Sequence, residues 1–159
     1  MLRSVALAVA VLTASCGYRF VRPSAGLPGE VKAAWVPMLG NLTAEAGAEV
    51  FVTQALREQL QRWGALGGPE GPARLEGSVE QVTAGVLLAS PGALPGYQLS
   101  ATLSLKLVVD GETKAQTRVT EREAYLSGAD VLLTEANRQA ALRRLAETLA
   151  REGLDALRR

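Results

Sequence analysis

The stretch YQLSATLSLKLVV, residues 97–109, decides the fold. Tyr97, Leu99, Ala101, Leu103, Leu105, Leu107 and Val109 occupy every second position, with polar residues between them as far as Lys106. A period of two sends successive side chains to opposite faces of an extended chain, so this segment is a strand with one buried and one wet face. At about 3.4 Å per residue it is roughly 44 Å long, well beyond the usual length of about five or six residues.

Asp110-Gly111 follows at once and marks a hairpin. A two-residue loop would pair Val109 with Glu112 and carry Lys114 and Arg118 onto the apolar face. A three-residue loop, Val109-Asp110-Gly111 with Gly111 left-handed in a bulge, pairs Leu107 with Thr113, Leu105 with Ala115, Leu103 with Thr117 and Ala101 with Val119, and is the expected register. It sets Lys106 directly opposite Lys114 on the wet face, with Arg118 and Arg122 further along the same side. Like charges so placed destabilise a sheet. Either Glu112 and water screen them, or an anionic ligand or partner sits there; phosphate suits, because Lys and Arg give it charge-assisted hydrogen bonds.

On the N-terminal side a strand is expected over residues 73–84. Leu75, Gly77 and Val79 share one face while Val82, Ala84 and Val86 have the opposite parity, which predicts a β-bulge near Glu80 and Gln81. Residues 85–96, GVLLASPGALPG, read as a loop. Its Val86, Leu87 and Leu88 either fold back on the core or form an exposed patch for a partner or a lipid surface. Earlier still, residues 31–36 predict a short strand stopped by Pro37, and residues 44–63 a helix with Thr43 as N-cap and Glu45 and Glu49 in its early turns. Ala48, Val52, Ala55, Leu56, Leu60 and Trp63 form one apolar stripe on it, and Gly64 stands at the C-cap. GALGGPEGP, residues 64–72, is then a loop.

Beyond the hairpin a fourth strand runs to about Tyr125, and a last helix starts near Asp130, its N-cap. Leu133, Ala136, Leu142, Leu145, Ala146 and Leu149 supply its apolar side; Arg143, Glu147 and Arg151 are spaced to pair along the other. The order β-α-β-β-β-α predicts an α+β two-layer sandwich, two helices packed on one face of a four-stranded mixed sheet.

The first fifteen residues read as an export signal: Arg3 gives a charged start and residues 5–12 are all apolar. Eight residues rise only about 12 Å as a helix, against roughly 30 Å of bilayer hydrocarbon, so they cannot span. Thr13, Ala14 and Ser15 then lead to Cys16, the only cysteine of the chain. This resembles a bacterial lipobox, with Thr13 where leucine is usual. Cys16 would then be diacylated on sulfur, become the first residue after cleavage and be acylated on its amine. An ordinary secretory signal with a chance cysteine near the cut is the plainer alternative. Gly17, rather than Asp, favours delivery to the outer membrane. Residues 16–30 then form a lipidated N-terminus and a Pro/Gly-rich extended tether, and residues 31–159 a single α+β domain.

Composition narrows the function further. Without Arg3 the chain balances at 16 basic against 16 acidic side chains, so no global charge favours nucleic acid. There are only seven aromatic residues, and the core should be aliphatic. With no histidine and one early cysteine, the usual zinc ligand sets, bases and thiol nucleophiles are missing, and no metal or cofactor is expected. Glu121 and Glu123 share one side of a strand, a spacing open to acid-base hydrolysis but better read as a solvated strand end beside Arg118 and Arg122. GALGGPEG lacks the Lys-Ser or Lys-Thr of a phosphate loop. No catalytic site is expected.

CGYRF at 16–20, LP at 27–28, VPMLGNLT at 36–43 and ALREQL at 55–60 together resemble the LptE family of lipopolysaccharide-assembly lipoproteins. The similarity spans the mature chain in element order, with motif-like identity in its first part. The resemblance implies two helices on a four-stranded sheet, no enzymatic activity, and a plug for the lumen of a large outer-membrane β-barrel, LptD. It also implies a role in assembling that barrel and binding of lipopolysaccharide. On that reading Lys106, Lys114, Arg118 and Arg122 are the candidate contacts to lipid A phosphates or acidic lumen residues, and Val86, Leu87 and Leu88 the next candidate partner loop. These residues come from the strand face and not from the family. A scaffold or pilotin-type lipoprotein for another outer-membrane machine, without a lipid ligand, is the alternative.

Overall fold

The computed structural model describes residues 26–88 and 94–159. The expected export signal, Cys16 and most of the expected tether lie outside the described residues. Strands β1 (Gly40–Asn41), β2 (Ala73–Leu88), β3 (Gly96–Val109) and β4 (Glu112–Leu126) form one sheet in the order β1-β2-β3-β4. β2, β3 and β4 are an antiparallel meander, and β1 joins β2 in parallel. Helices α1 (Ala48–Trp63) and α2 (Val131–Leu157) pack on each other; α2 lies over β3 and β4, and α1 beside β1 and β2. This is the expected α+β sandwich with a mixed sheet.

The alternation in β3 builds the core. Leu99, Leu103, Leu105 and Leu107 are fully enclosed, facing Leu75 and Val79 of β2 and Leu56, Leu60, Leu145, Leu149 and Leu154 of the helices. Each such side chain contributes roughly 1.5–3 kcal/mol through burial. The predicted bulge is present: Val79 pairs with Leu103 and Gln81 with Thr102, which leaves Glu80 as the extra residue and returns Val82 to the core side opposite Ala101. Gly64 ends α1 in the left-handed conformation, with Ala65 N–H closing onto the Leu60 carbonyl at 2.8 Å. Asp130 caps α2, its Oδ1 accepting from Leu133 N–H at 2.7 Å.

Several expectations are corrected. The strand expected over 31–36 is reduced to bridges at Ala34 and Trp35, and pairing resumes only at β1. Pro37 has no N–H to give a ladder, and the chain detours around it. Thr53 Oγ1 takes Leu39 N–H at 3.1 Å, and the Arg57 guanidinium donates to the Val36 carbonyl at 2.7 and 3.0 Å. The first helix starts a turn later than expected, after Gly47, because Thr43 is spent in a local turn. Thr43 N–H donates to Asn41 Oδ1, Thr43 Oγ1 accepts from Glu45 N–H, and Asn41 Nδ2 donates to the Glu45 carbonyl. Such side-chain bonds compete with helix. β2 continues to Leu88, so Val86 and Leu87 belong to a strand end and not to a loop. Among the described residues the first buried side chain is Leu27, followed by a single 3-10 turn at Pro28–Glu30.

In α2, Leu142, Leu145, Ala146 and Leu149 are buried as expected, whereas Leu133 and Ala136 are exposed because the first turns project beyond the sheet. Arg143 does not pair with Glu147; its guanidinium stands over the Phe51 ring at 5.4 Å, and Arg151 meets Glu152 instead. Arg138 pairs with Glu45 and ties α2 to the segment before α1.

Candidate functional site

The hairpin that carries the candidate cations resolves a conflict within the sequence. Asp110 (φ 51°) and Gly111 (φ 83°) are both left-handed, the backbone of a two-residue turn, and Val109 pairs with Glu112. This is the loop whose parity would have buried Lys114 and Arg118. A second bulge prevents it: Val108 pairs with Thr113 and Leu107 with Ala115, so Lys114 is the extra residue. One inserted residue restores alternation. The expected register is therefore wrong by two residues: Leu105 faces Thr117, Leu103 faces Val119 and Ala101 faces Glu121.

Lys106 consequently lies opposite Gln116 and Glu76, not Lys114. Lys114 turns to Glu112 on its own strand, Nζ to Oε2 2.6 Å. That hydrogen bond holds the Glu112 carboxyl below its ordinary range and raises the Lys114 ammonium. Arg118 faces Ser104 and reaches the bulge carboxylate of Glu80 at 2.6 Å. Arg122 faces Ser100. Among the described residues, Lys106 and Arg122 have no ion-pair partner. The four expected cations thus divide into two that are paired and two that are free.

Lys106, Arg118 and Arg122 share the sheet face away from the helices. Across it run Thr83, Ser100 and Arg122; Gln81, Thr102 and Thr120; Ser78, Ser104 and Arg118; then Glu76, Lys106 and Gln116. Thr102 and Thr120 hydroxyls are 2.8 Å apart. The surface is a sheet face of hydroxyls and amides that also carries Glu76, the Arg118–Glu80 ion pair and the cations Lys106 and Arg122, able to accept and donate hydrogen bonds. Glu121 and Glu123 are on the opposite face, where Glu123 Oε1 meets Arg144 Nε of α2 at 2.6 Å. Their expected neighbours Arg118 and Arg122 are on the other side of the sheet. No group of potential metal-binding side chains occurs among the described residues.

The lipopolysaccharide-assembly family model, LptE, matches residues 31–157. The chain belongs to the LptE family. At that level it is a lipopolysaccharide-assembly lipoprotein and not an enzyme. No curated protein matches the chain. Among solved structures it is similar to a lipoprotein of Caulobacter crescentus CB15 at 17% identity, covering 76% of this chain and 87% of that one, with TM-score 0.57. Rare lipoprotein B from Shewanella oneidensis is similar at 15% identity, 74% and 91% coverage and TM-score 0.53. At such identity these likenesses speak for the fold alone. Within the LptE sandwich, no described helix is long and apolar enough to cross a membrane.

A second surface lies at the end of the sheet away from the hairpin. Val86 and Leu87 are exposed there, while the Leu88 side chain lies outside the described residues. Leu94, Leu126, Val131 and Leu132 are exposed at the same end and were not singled out from sequence. A signal for them existed: Val131-Leu132-Leu133 turns through about 200° of helix, so all three cannot face one core.

Proposed function

We propose that this LptE-family chain is an outer-membrane lipoprotein, anchored through Cys16 after removal of residues 1–15, that plugs the lumen of an LptD-type β-barrel. There it aids assembly of the barrel and delivery of lipopolysaccharide to the outer leaflet. The observation that supports this most is the helix-free face of β2, β3 and β4, whose hydroxyl and amide rows match the polar interior of a large barrel. An aliphatic core seals the other face, so the wedge presents polar groups outward without needing a groove. Lys106 and Arg122, free of carboxylate partners among the described residues, are the contacts for lipid A phosphates or acidic lumen side chains. Lys114 and Arg118 would first have to leave Glu112 and Glu80.

Affinity isolation of the native anchored protein from detergent-solubilised outer membrane tests the reading. A barrel of the LptD type should accompany it, and a photocrosslinker at Ser104 should join the two. Lys106→Glu with Arg122→Glu should weaken lipopolysaccharide binding while the domain stays folded. Isolation of another outer-membrane machine with no barrel would instead support the scaffold or pilotin reading.

A further inference from the structure

We propose that residues 17–25 of this chain dock as a fifth strand on the free edge of β4, antiparallel to it, and close that edge against pairing between copies. β4 is the last strand of the sheet, with β3 on one side and no strand among the described residues on the other. From Ala115 to Leu126 its register with β3 runs without a bulge, and the segment contains no proline. The bulge that blunts this edge is confined to its hairpin end, at Lys114. Two of its charges are turned inward, Arg118 to Glu80 and Glu123 to Arg144. The core side of β4 is also left half covered. Leu103, Leu105 and Leu107 on β3 are fully enclosed, whereas Thr117, Val119, Glu121, Glu123 and Tyr125 are each half-buried. Where this row meets α2 there is a groove of about 340 Å³ lined by Ala124, Tyr125, Leu126, Asn137, Ala140 and Arg144. An open strand edge beside a groove takes up an extended chain, whose main chain pairs with the edge while alternate side chains enter the groove.

Entry geometry and charge select the occupant. Trp35 bridges Arg74, itself paired with Val108, so the chain joins the sheet at the hairpin end, and the Pro28–Glu30 turn lies against β4. Leu27 is buried and Gly26 is exposed. Residues 17–25, outside the described residues, therefore connect to the domain beside the edge they are proposed to cover. Followed back from Gly26 they would run toward the Leu126 end, antiparallel to β4. Nine residues span about 31 Å at strand rise, enough to reach from Thr117 to Tyr125. Their sequence, GYRFVRPSA, sets Tyr18, Phe20 and Val21 in a short run that favours strand, ends it at Pro23, and carries two arginines and no acid. Glu121, on the core side of β4, has no ion-pair partner among the described residues. Setting Arg22 opposite Glu121 brings Phe20 beside Glu123 and Tyr18 opposite Tyr125, at the groove. Opposite charges and aromatic pairs are the favourable neighbours across strands. The docking leaves the helix-free face of the sheet open, and it depends neither on a barrel partner nor on acylation of Cys16.

The test uses the chain from residue 16 onward with Cys16→Ser, so that added cysteines have no native competitor. Phe20→Pro/Val21→Pro removes two successive N–H groups, one of which faces β4 in either register. Hydrogen exchange read by mass spectrometry should then show residues 117–125 exchanging about tenfold faster than in the parent, with β3 unchanged. Under mild oxidation Arg22→Cys/Glu121→Cys should form a disulfide within one chain, whereas Arg22→Cys/Glu58→Cys, whose second site is on the exposed side of α1, should not. Equal exchange of β4 in parent and proline variant, absence of the first disulfide, or equal crosslinking at both sites would overturn the proposal. So would a disulfide that joins two chains, or protection of β4 that survives the prolines and fades on dilution, since a second copy would then cover the edge.

Discussion

A close approach of helix to sheet at Gly153 provides a quantitative test of the packing. Leu105 is wholly buried, and a Cβ placed on Gly153 of α2 would lie 2.9 Å from Leu105 Cδ1, 3.5 Å from Leu103 Cδ2 and 3.7 Å from Val119 Cγ2. Gly153 thus lets α2 settle onto Leu105. Leu105→Ala removes three carbons, about 2.4 kcal/mol at ~0.8 kcal/mol each, and the residual cavity brings the loss to about 3–4 kcal/mol. Gly153→Ala alone gains about 1 kcal/mol in helix propensity but overpacks the Leu105 methyl at a cost of about 1–2 kcal/mol, so its net effect lies within about 1 kcal/mol of zero. With Leu105→Ala in place the clash is gone and the new methyl occupies vacated space. Gly153→Ala should then stabilise by about 1–2 kcal/mol, a coupling of about 1–3 kcal/mol between the sites. Urea unfolding followed by far-ultraviolet circular dichroism, with equal m-values for all four proteins, measures this cycle. A coupling below about 0.5 kcal/mol, or equal destabilisation by Gly153→Ala in both backgrounds, would refute the stated approach of α2 to β3.

Asp130→Ala should cost about 1 kcal/mol of helix capping, read as faster amide exchange in the first turn of α2. The effect should stay local because Val131 and Leu132 anchor nothing in the core. Arg138→Met should destabilise by about 1–3 kcal/mol in thermal or urea unfolding, since it strands the Glu45 carboxylate, whose side chain is 16% exposed. Lys114→Met should raise the Glu112 titration midpoint toward the ordinary carboxylate value in an NMR pH series. A depressed carboxyl pKa stabilises above its unfolded value and loses that contribution as pH falls through the folded one, so any change is confined to acid. Both groups are open to water, and the melting temperature at neutral pH should hardly move.

Local patterns determined much of this molecule. The period-two run of residues 97–109 dictated β3, the parity change after Val79 dictated the Glu80 bulge, and Asp130 and Gly64 dictated helix ends. Each depends on neighbours within a few positions, which is why a linear reading reaches it. The tertiary structure decided matters in which two local rules compete or a distant segment takes part. Asp-Gly chemistry favoured a two-residue turn and face parity forbade it; the Lys114 bulge satisfied both, and with it fell the opposition of Lys106 and Lys114. Thr43 could have capped a helix but was taken by Asn41, and the strand before Pro37 shrank to two bridges. Whether a cation is paired likewise depends on which carboxylate folding brings within reach: Glu80 reaches Arg118 across the sheet, while Glu76, opposite Lys106, pairs with Arg74, and Lys106 and Arg122 form no ion pair among the described residues. The exposed aliphatic end of the sheet exists only because three chain segments converge beyond the reach of the core, and convergence of remote segments is a property of packing in three dimensions.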